Sequence, residues 1–248
     1  MRDTADTAVL RALGLRKEYG TGDGLVRAVD GVDLDVAYGE TVAVMGPSGC
    51  GKSTLLHLLG GLDRPSSGEV WLGDRRIDKI GERALARMRR SDVGFLFQAF
   101  HLMDELTAVE NVELPALLAG RLPSAARRQA ASLLDRVGLA DRAGFLPSAL
   151  SGGQRQRVAI ARALSNEPLI VFADEPTGNL DSAATGDVLR LFDSLREAGQ
   201  TLVIVTHDER IAATADRLIS MRDGVFVDEI RLTGGTTGHL GALIGLEG

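Results

Sequence analysis

Partly alternating apolar and polar residues mark the beginning of the chain. Three strand-like stretches follow one another, at residues 9–19, 26–36 and 41–45. Residues that favour turns separate them, at positions 20–24 and 38–39. An alternation of period two, broken by turn residues, is typical of β-strands. The pattern therefore predicts that the chain begins with a series of strands.

Helical segments alternate with strand-like ones later in the chain. The apolar pattern predicts helices at residues 52–59, 83–90 and 182–198. Two continuous apolar runs, at residues 169–173 and 201–205, are typical of parallel strands that are covered on both faces. Because a helix separates these runs, we expect a right-handed βαβ unit. Further strands are predicted at residues 69–72, 93–97, 217–221 and 225–230.

The stretch from residue 101 to residue 163 differs from its surroundings. It is rich in Ala, Arg and Leu in a helical pattern, which Pro115, Pro123 and Pro147 interrupt. Residues 233–248 are Gly-rich and show no periodicity, so we expect a loose C-terminal tail there.

Composition excludes several classes of protein. Of 248 residues, 44% are hydrophobic, which is enough for one large core. A net charge of −6 argues against a nucleic-acid partner, because such proteins usually carry a basic face. The single cysteine, Cys50, rules out an internal disulfide. The sequence shows no run of about 18 apolar residues and no secretion signature, so we expect a chain that is neither secreted nor membrane-spanning.

The segment GPSGCGKS, residues 46–53, matches the phosphate-binding P-loop pattern between an apolar strand and a helix. Glycines allow backbone N–H groups to turn towards phosphate oxygens, and the helix N-terminus adds favourable partial charge. Lys52 is expected to reach the β- and γ-phosphates, and Ser53 to bind Mg²⁺. The residues that we assign to nucleotide binding here are Gly46, Pro47, Ser48, Gly49, Cys50, Gly51, Lys52, Ser53 and Thr54.

Two residues of this segment allow two interpretations each. Thr54 could contact the α-phosphate, or it could cap the following helix. Cys50 could be a small residue that packs where space is limited. It could also be a reactive thiol, because a site that binds anions favours thiolate.

Two acids end a predicted strand in LIVFADE, residues 169–175. Asp174 is expected to hold Mg²⁺ through its water shell. Glu175 is expected to orient or deprotonate the attacking water near the γ-phosphate. Acids are common at solvated strand ends, so this prediction depends on the phosphate loop upstream.

The segment LSGGQRQRVAIARAL, residues 150–164, indicates the family. Ser151 is a good helix cap, and Gly152 and Gly153 permit close approach of backbone to an anion. The order of motifs is phosphate loop, LSGGQ, acid-ended strand and histidine, and in this order the chain resembles the ABC ATPases. The resemblance implies an α/β P-loop NTPase fold with a RecA-like core, a small antiparallel β lobe and an inserted helical subdomain. It implies one domain over residues 1–232, with the helical subdomain at about 101–164.

The resemblance also assigns roles to single residues. Tyr19 matches the aromatic residue that stacks on adenine, although it could be an ordinary strand tyrosine. Gln98 matches the glutamine that senses Mg²⁺ and faces the membrane partner, and His207 matches the histidine that contacts the γ-phosphate. Asp181 matches an aspartate that communicates across the dimer, although it could merely cap a helix. The LSGGQ residues expected to close over a nucleotide are Ser151, Gly152, Gly153 and Gln154.

At finer grain, the chain resembles ATPase subunits of the lipoprotein-release and macrolide-export type. The segments STLLHLLGGLDRPSSGEV, VGFLFQAFHLMDELTAVENVELP and ADEPTGNLD carry this resemblance. The departures are Cys50 in the loop, and SGGQRQR where many relatives have SGGEQQR. Both leave the transported substrate open.

The family resemblance implies that one copy is not enough, since the chain has one phosphate loop and one LSGGQ segment. In this family a second copy completes each site, in a head-to-tail dimer that encloses two MgATP. The dimer would drive a membrane permease from the cytoplasmic face. An alternative is a non-transport ATPase that regulates cell-wall hydrolases in division. A soluble ATPase of DNA repair or translation would usually have long coiled coils or two cassettes, and neither occurs here.

Overall fold

Two β-sheets and seven helices make up the described part of the chain, residues 8–232 of a computed structural model. The strands are β1 (Ala8–Tyr19), β2 (Val26–Ala37), β3 (Thr41–Met45), β4 (Ser67–Leu72), β5 (Arg75–Arg76), β6 (Val93–Leu96), β7 (Ile170–Asp174), β8 (Thr201–Thr206), β9 (Arg217–Arg222) and β10 (Val225–Arg231). The helices are α1 (Lys52–Leu59), α2 (Glu82–Ser91), α3 (Ala108–Leu118), α4 (Pro123–Arg136), α5 (Gly152–Ala163), α6 (Ser182–Glu197) and α7 (Glu209–Ala212). The tail predicted for residues 233–248 lies outside the described residues.

The larger sheet has six strands in the order β10-β9-β3-β8-β7-β6. Strands β9, β3, β8, β7 and β6 run parallel, and β10 pairs antiparallel with β9. Every residue of β8 is buried, as are four of the five in β3 and in β7. The continuous apolar runs therefore predicted these central strands correctly, because a parallel strand covered on both faces has no solvent side.

The smaller sheet has four antiparallel strands in the order β2-β1-β4-β5. Its buried side packs in one hydrophobic cluster with α1 and one face of the larger sheet. Helix α1 therefore lies between the two sheets, which holds the segment just before it against both. Trp71 lies in β4, and its ring receives the Arg11 guanidinium 5.6 Å from the ring centroid.

Helices α3 to α6 pack in a second hydrophobic cluster with the other face of β7 and β8. Helix α3 begins with a capping box, in which Thr107 and Glu110 exchange hydrogen bonds between side chains and backbone. Pro115 lies inside α3, where the sequence predicted only an interruption. None of the helices within residues 8–232 has both the length and the apolar character that crossing a bilayer requires.

The turn between β9 and β10 joins three distant parts of the chain. The backbone N–H of Gly224 donates to the Cys50 carbonyl at 3.0 Å, and the Gly224 carbonyl accepts from the Asp30 N–H at 2.9 Å. Residues Asp223 and Gly224 have φ angles of 49° and 81°, in the left-handed region typical of such turns. This last hairpin therefore holds the phosphate loop and the smaller sheet together.

The predicted elements agree closely with the structure. Every strand and helix predicted before residue 101 and after residue 164 is present, with ends that differ by at most two residues. Among the strands and α-helices of the described residues, two short ones were not predicted, the two-residue strand β5 and the four-residue helix α7. Neither is long enough for a periodic pattern to be visible.

Candidate active site

The loops that follow β3, β6, β7 and β8 all leave the larger sheet at the carboxyl ends of parallel strands. In sheets of this kind such an edge is the usual place for a ligand. Residues predicted as functional follow each of these strands: Lys52 and Ser53 at the start of α1, and Gln98, Glu175 and His207 in the other three loops. Asp174 is the last residue of β7. The sheet topology therefore brings together four motifs that are far apart in sequence.

The phosphate loop, residues 46–53, has a conformation that requires glycine. Gly49 and Gly51 have φ angles of 82° and 106°, which L side chains rarely adopt. A β-carbon on Gly51 would overlap the Ala28 carbonyl oxygen of β2, and one on Gly46 would overlap the Met221 carbonyl oxygen of β9. The loop is thus packed tightly against both sheets, and its backbone shape follows from its sequence.

Lys52 folds back over this loop. Its ammonium donates to the carbonyl oxygens of Gly46 at 2.7 Å and Pro47 at 3.0 Å, and the residue is only 7% exposed. A positive charge therefore lies inside the loop, at the N-terminus of α1. Helix α1 has Gly51 as its N-cap residue and no side-chain cap bond, so the interpretation of Thr54 as a cap is wrong.

Ser53 and Asp174 are in direct contact. The Ser53 hydroxyl donates to Asp174 Oδ1 at 3.0 Å, which links the phosphate loop to the end of β7. Burial raises the pKa of the Asp174 carboxyl above its ordinary value, and the bond from Ser53 opposes that shift. A hydroxyl and a carboxylate are hard oxygen donors of the kind that Mg²⁺ prefers. Within residues 8–232 no cluster of three or more His, Cys, Asp or Glu residues could hold a metal by itself.

Glu175 is held in place by the segment that follows β8. Its Oε2 lies 2.9 Å from His207 Nδ1, and it accepts at 3.3 Å from both the His207 N–H and the Thr206 hydroxyl. Glu175 has a φ of 45°, which is unusual for a non-glycine residue. Sequence reasoning missed Thr206, whose only signal was its position directly before His207.

Gln98 lies two residues after β6 and contacts the loop between β7 and α6. The Asn179 side-chain amide donates to the Gln98 carbonyl at 2.9 Å, and the two side chains approach to 3.5 Å. A β-carbon on Gly178 would lie 2.8 Å from the Gln98 amide nitrogen. Asn179 was also missed, although it falls inside the quoted segment ADEPTGNLD.

The LSGGQ segment forms the start of α5. Ser151 and Gln154 make a capping box, with Gln154 N–H donating to Ser151 Oγ at 3.2 Å and Ser151 N–H to Gln154 Oε1 at 2.9 Å. Ser151 is therefore a helix cap, as expected. A β-carbon on Gly153 would lie 2.7 Å from the β-carbon of Ala184, so this glycine permits close packing of α5 on α6. Within residues 8–232 no hydrogen bond joins this segment to the phosphate loop.

Asp181 and Tyr19 each have a partner within the chain. Asp181 caps α6, since its Oδ1 accepts from the Ala184 N–H at 2.8 Å. Tyr19, at the end of β1, is 45% exposed and donates its hydroxyl to Asp63 Oδ2 at 3.1 Å. The Lys17 ammonium lies 5.0 Å from the centroid of the Tyr19 ring. Burial by itself would raise the pKa of Asp63, but hydrogen bonds from the Lys17 ammonium, the Arg64 N–H and the Tyr19 hydroxyl, together with the charge of Lys17, lower that pKa below its ordinary value.

Cys50 points away from the open side of the loop. It is 6% exposed and belongs to the hydrophobic cluster between the sheets. A β-carbon on Gly46 would lie 2.7 Å from Cys50 Sγ, so the sulfur packs against the first residue of the loop. This burial favours the interpretation of Cys50 as a small packing residue over that of a reactive thiol, because reagents reach exposed thiolates.

Comparison with known proteins gives matches along most of the chain. A family model described as ABC transporter matches residues 29–178. The macrolide export ATP-binding/permease protein MacB 1/2 of Paracoccus denitrificans is 49% identical, over 90% of this chain and 33% of that protein. The MacB protein of Agrobacterium fabrum is 47% identical, over 90% of this chain and 34% of that protein. The chain thus spans about a third of the length of the curated relatives it matches.

Solved structures match over the full length of the known chain. A dimeric post-hydrolysis state of the ATP-binding cassette MJ0796, bound to ADP and Pi, is 40% identical with a TM-score of 0.83. A second dimeric structure of MJ0796, described as a bacterial ABC transporter cassette, is 41% identical with a TM-score of 0.84. Each covers 91% of this chain and 100% of the known one. These matches confirm the predicted fold class, an α/β P-loop NTPase of the ABC type.

The motif order, the geometry at the carboxyl edge of the sheet and the matches to known proteins agree with one another. The family model covers more than half of the chain, and the known cassettes align over their whole length. The chain therefore belongs to the ABC transporter family, and it is an ATPase cassette of that family.

Proposed function

We propose that the chain hydrolyses MgATP in two sites shared with a second copy of itself, and that it drives a membrane permease partner from the cytoplasmic face. The observation that supports this best is the position of Glu175. Glu175 directly follows Asp174, which bonds to Ser53 at the same edge of the sheet. His207 and Thr206 hold the Glu175 carboxylate in place. A carboxylate held beside a phosphate loop is suited to activate water for attack on the γ-phosphate.

The phosphate loop and Tyr19 bind the nucleotide in this proposal. The residues of segment 46–51 other than Pro47 supply backbone N–H groups, and Lys52 exchanges its two carbonyl partners for β- and γ-phosphate oxygens. Thr54, which does not cap α1, contacts the α-phosphate. The exposed ring of Tyr19 stacks on adenine, and its hydroxyl stays bound to Asp63.

Ser53, Asp174 and Gln98 hold Mg²⁺ in this proposal. Their oxygens suit the ion, and the small number of protein ligands suits Mg²⁺, which keeps several waters and phosphate oxygens. The ion would neutralise charge on the phosphates. Breaking the Ser53–Asp174 hydrogen bond frees both oxygens for the ion. Burial opposes the charge of Asp174 and so raises its pKa, and a bound cation would offset that cost.

Glu175 and His207 carry the chemical step. Glu175 orients the attacking water and accepts its proton as the water oxygen bonds to the γ-phosphorus. The bond from the γ-phosphorus to the β,γ-bridging oxygen breaks, and ADP leaves with the electron pair. His207, whose side chain is largely exposed, turns from Glu175 Oε2 towards the γ-phosphate. Thr206 keeps Glu175 fixed while His207 changes partner.

A second copy completes each site in this proposal. Ser151, Gly152, Gly153 and Gln154 make no hydrogen bond to the phosphate loop within the described chain, so we assign them to the γ-phosphate held by the partner. The dimeric state of both similar cassettes supports this arrangement. Asp181 lies near the same segment and communicates across the interface, in addition to capping α6.

The permease partner is inferred from the curated relatives. Their names describe ATP-binding/permease proteins, and this chain matches about a third of their length. We propose that a permease acts with this chain to export a hydrophobic or lipid-linked compound, or to pass force across the membrane. The helical subdomain, at about residues 101–164, would dock it, and exposed apolar residues there are Met103, Leu118, Leu122, Phe145 and Leu146.

The substitution Glu175→Gln tests the catalytic assignment. It keeps the size of the side chain and removes the base, so we expect ATP to bind while turnover falls by roughly 10²-fold or more. Gel filtration should show a dimer with MgATP and none with MgADP. A matched control is Glu167→Gln, at an exposed position three residues before β7, at the opposite end of this strand from Glu175. Normal turnover in Glu175→Gln would exclude the proposed role.

Mixing two inactive variants tests the shared site. Ser151→Arg places a bulky cation where the partner's γ-phosphate should lie, and Lys52→Ala removes the phosphate contact. Each variant alone should be inactive, and Ser151→Arg should still bind nucleotide as a monomer. A 1:1 mixture should recover up to about a quarter of wild-type turnover, because half of random dimers then contain one intact site. Loss of nucleotide binding by monomeric Ser151→Arg would contradict the assignment to the partner's site.

A further inference from the structure

The loop after β6 has a backbone conformation that its residues do not favour. Phe100 and His101 have φ angles of 51° and 50°, although neither is glycine. Bulky residues rarely adopt positive φ, and two in succession persist only where the surroundings hold them. The same loop carries Gln98, two residues before Phe100. Something outside the loop must therefore stabilise this turn.

Arg162, in the last turn of α5, makes the contacts that hold it. Its guanidinium donates from Nη2 to the Phe100 carbonyl at 2.8 Å and from Nη1 to the His101 carbonyl. The two acceptors are the carbonyl groups of the two residues with positive φ. A planar guanidinium can bond both oxygens at once, which a lysine ammonium does with less geometric definition.

Arg155 adds a second contact from the same face of α5, seven residues before Arg162. Its guanidinium carbon lies 5.2 Å from the centroid of the Phe100 ring, in a cation–π arrangement. The Gln98 carbonyl is held from the other side by Asn179. The loop is thus held between α5 and the segment that carries Glu175 and Asp181.

We propose that Arg162 is a positioning residue for Gln98, and that it stabilises the strained turn in which Gln98 faces the reacting phosphate. This inference depends on the proposed role of Gln98 in MgATP hydrolysis. Because α5 begins at the LSGGQ segment, Arg162 also connects that segment to Gln98 through one rigid helix. A change at the dimer interface would thereby alter the position of Gln98.

A purely structural role of Arg162 makes a different prediction. A cation in the last turn of a helix is favourable by itself, and its loss would destabilise α5. In that case Arg162 variants would unfold more easily, and turnover would fall only with the amount of folded protein.

Steady-state kinetics on the full chain distinguish the two roles. With Arg162→Met, kcat should fall about tenfold or more while KM for ATP stays within about twofold, because the phosphate loop and Tyr19 are untouched. Arg162→Lys should recover part of kcat. The matched control is Arg157→Met on the same helix, where Nη1 donates to the Val137 carbonyl at 3.2 Å. This control should lose stability with kcat per folded molecule unchanged.

Glycine at position 101 gives a second, independent test. Adding His101→Gly to Arg162→Met should restore part of kcat, because glycine adopts positive φ without strain. His101→Ala in the same background removes the same side-chain contacts but keeps the β-carbon, so it should restore nothing. Equal kcat in Arg162→Met and wild type, or equal recovery with glycine and alanine, would overturn the inference.

The variant Gln98→Ala separates this inference from the proposed function. If Gln98→Ala is impaired and Arg162→Met is not, the positioning role alone fails. If Gln98→Ala turns over ATP as fast as the wild type, the role of Gln98 fails, and the inference about Arg162 fails with it.

Discussion

Two loops at the same edge of the sheet obtain their shape in different ways. The phosphate loop, residues 46–53, places glycines at its positive φ angles and packs its backbone against β2 and β9. The loop at residues 97–101 has positive φ at Phe100 and His101 and depends on arginines of α5. The first loop has a conformation that its own residues favour. The second has one that a distant helix imposes.

This difference fits the tasks proposed for the two loops. A loop that binds phosphates in every cycle benefits from a fixed shape, because a prearranged site loses little entropy on binding. A loop that must respond to a partner benefits from a shape that can be released. The backbone strain at Phe100 and His101 favours a change of the turn's conformation when α5 moves, since a strained turn relaxes when the contacts that hold it are lost.

The largest effect is expected from Gly51→Ala in the phosphate loop. A β-carbon here would overlap the Ala28 carbonyl, and φ is 106°, so strain and overlap act together. We expect a loss of about 3 kcal/mol or more in the free energy of unfolding, together with loss of nucleotide binding. Urea denaturation and fluorescent-nucleotide titration measure the two quantities.

The matched control is Gly49→Ala, where φ is 82° and a β-carbon would meet nothing within 4 Å. Backbone strain alone should lower the free energy of unfolding of this variant by about 1–2 kcal/mol. If both variants were equally stable, close packing against β2 would not determine the shape of the loop.

A smaller effect is expected in the second loop from Phe100→Leu. This variant removes the aromatic ring that faces Arg155, so the unfolding free energy should fall by about 1 kcal/mol. A double-mutant cycle with Arg155→Met should show a coupling of roughly 0.5–1 kcal/mol. Additive effects of the two substitutions would mean that Arg155 does not hold the loop through Phe100.

The smallest effect, and one of opposite sign, is expected from Asp174→Asn. Burial raises the pKa of Asp174 in the folded protein, so the native state binds this proton more tightly than the unfolded state does. The free energy of unfolding therefore falls as pH rises from the ordinary aspartate pKa through the raised one, and the ionised carboxylate destabilises the folded protein at neutral pH. Asparagine removes this cost.

Urea denaturation at neutral pH should accordingly show a small gain in the free energy of unfolding for Asp174→Asn, about 0.5 kcal/mol or less because solvent screens this partly exposed carboxyl, although turnover is lost. The gain should disappear as the pH falls below the ordinary aspartate pKa of about 4. A loss of stability at neutral pH would mean that the phosphate loop needs the charge of Asp174 as well as its own backbone.

The sequence predicted the first loop far better than the second. Glycines at fixed spacing in residues 46–53 required a tight anion-binding turn, and the apolar runs around it located the central strands. Nothing in the residue types of Phe100 and His101 indicates positive φ, because the cause is a contact with Arg162 that exists only after folding. For the same reason, the motif was enough to locate Gln98, but the contacts of Arg162 and Asn179 that hold its loop could not be predicted.

Side-chain direction was the other quantity that the sequence left open. Cys50 lies between two glycines of positive φ, and its sulfur packs into the core, which the residue types alone do not indicate. Thr206 could not be recognised as a partner of Glu175, because β7 and β8 had first to pair in register. The residues that contact phosphates in the proposed function were predictable, and those that hold them in place were not.

The turn at Gly224 has a consequence for the order in which the protein is made. Within the described residues, β3 pairs with β8 and β9, and the Cys50 carbonyl accepts from the Gly224 N–H. All of these partners come more than 145 residues after β3. Until these later strands have been made, a growing polypeptide has its phosphate loop next to β2 alone, and contacts of such sequence separation form slowly. We expect ATP to bind only after the β9–β10 hairpin has been translated, so that nucleotide stabilises the cassette that contains this hairpin and not its shorter nascent intermediates.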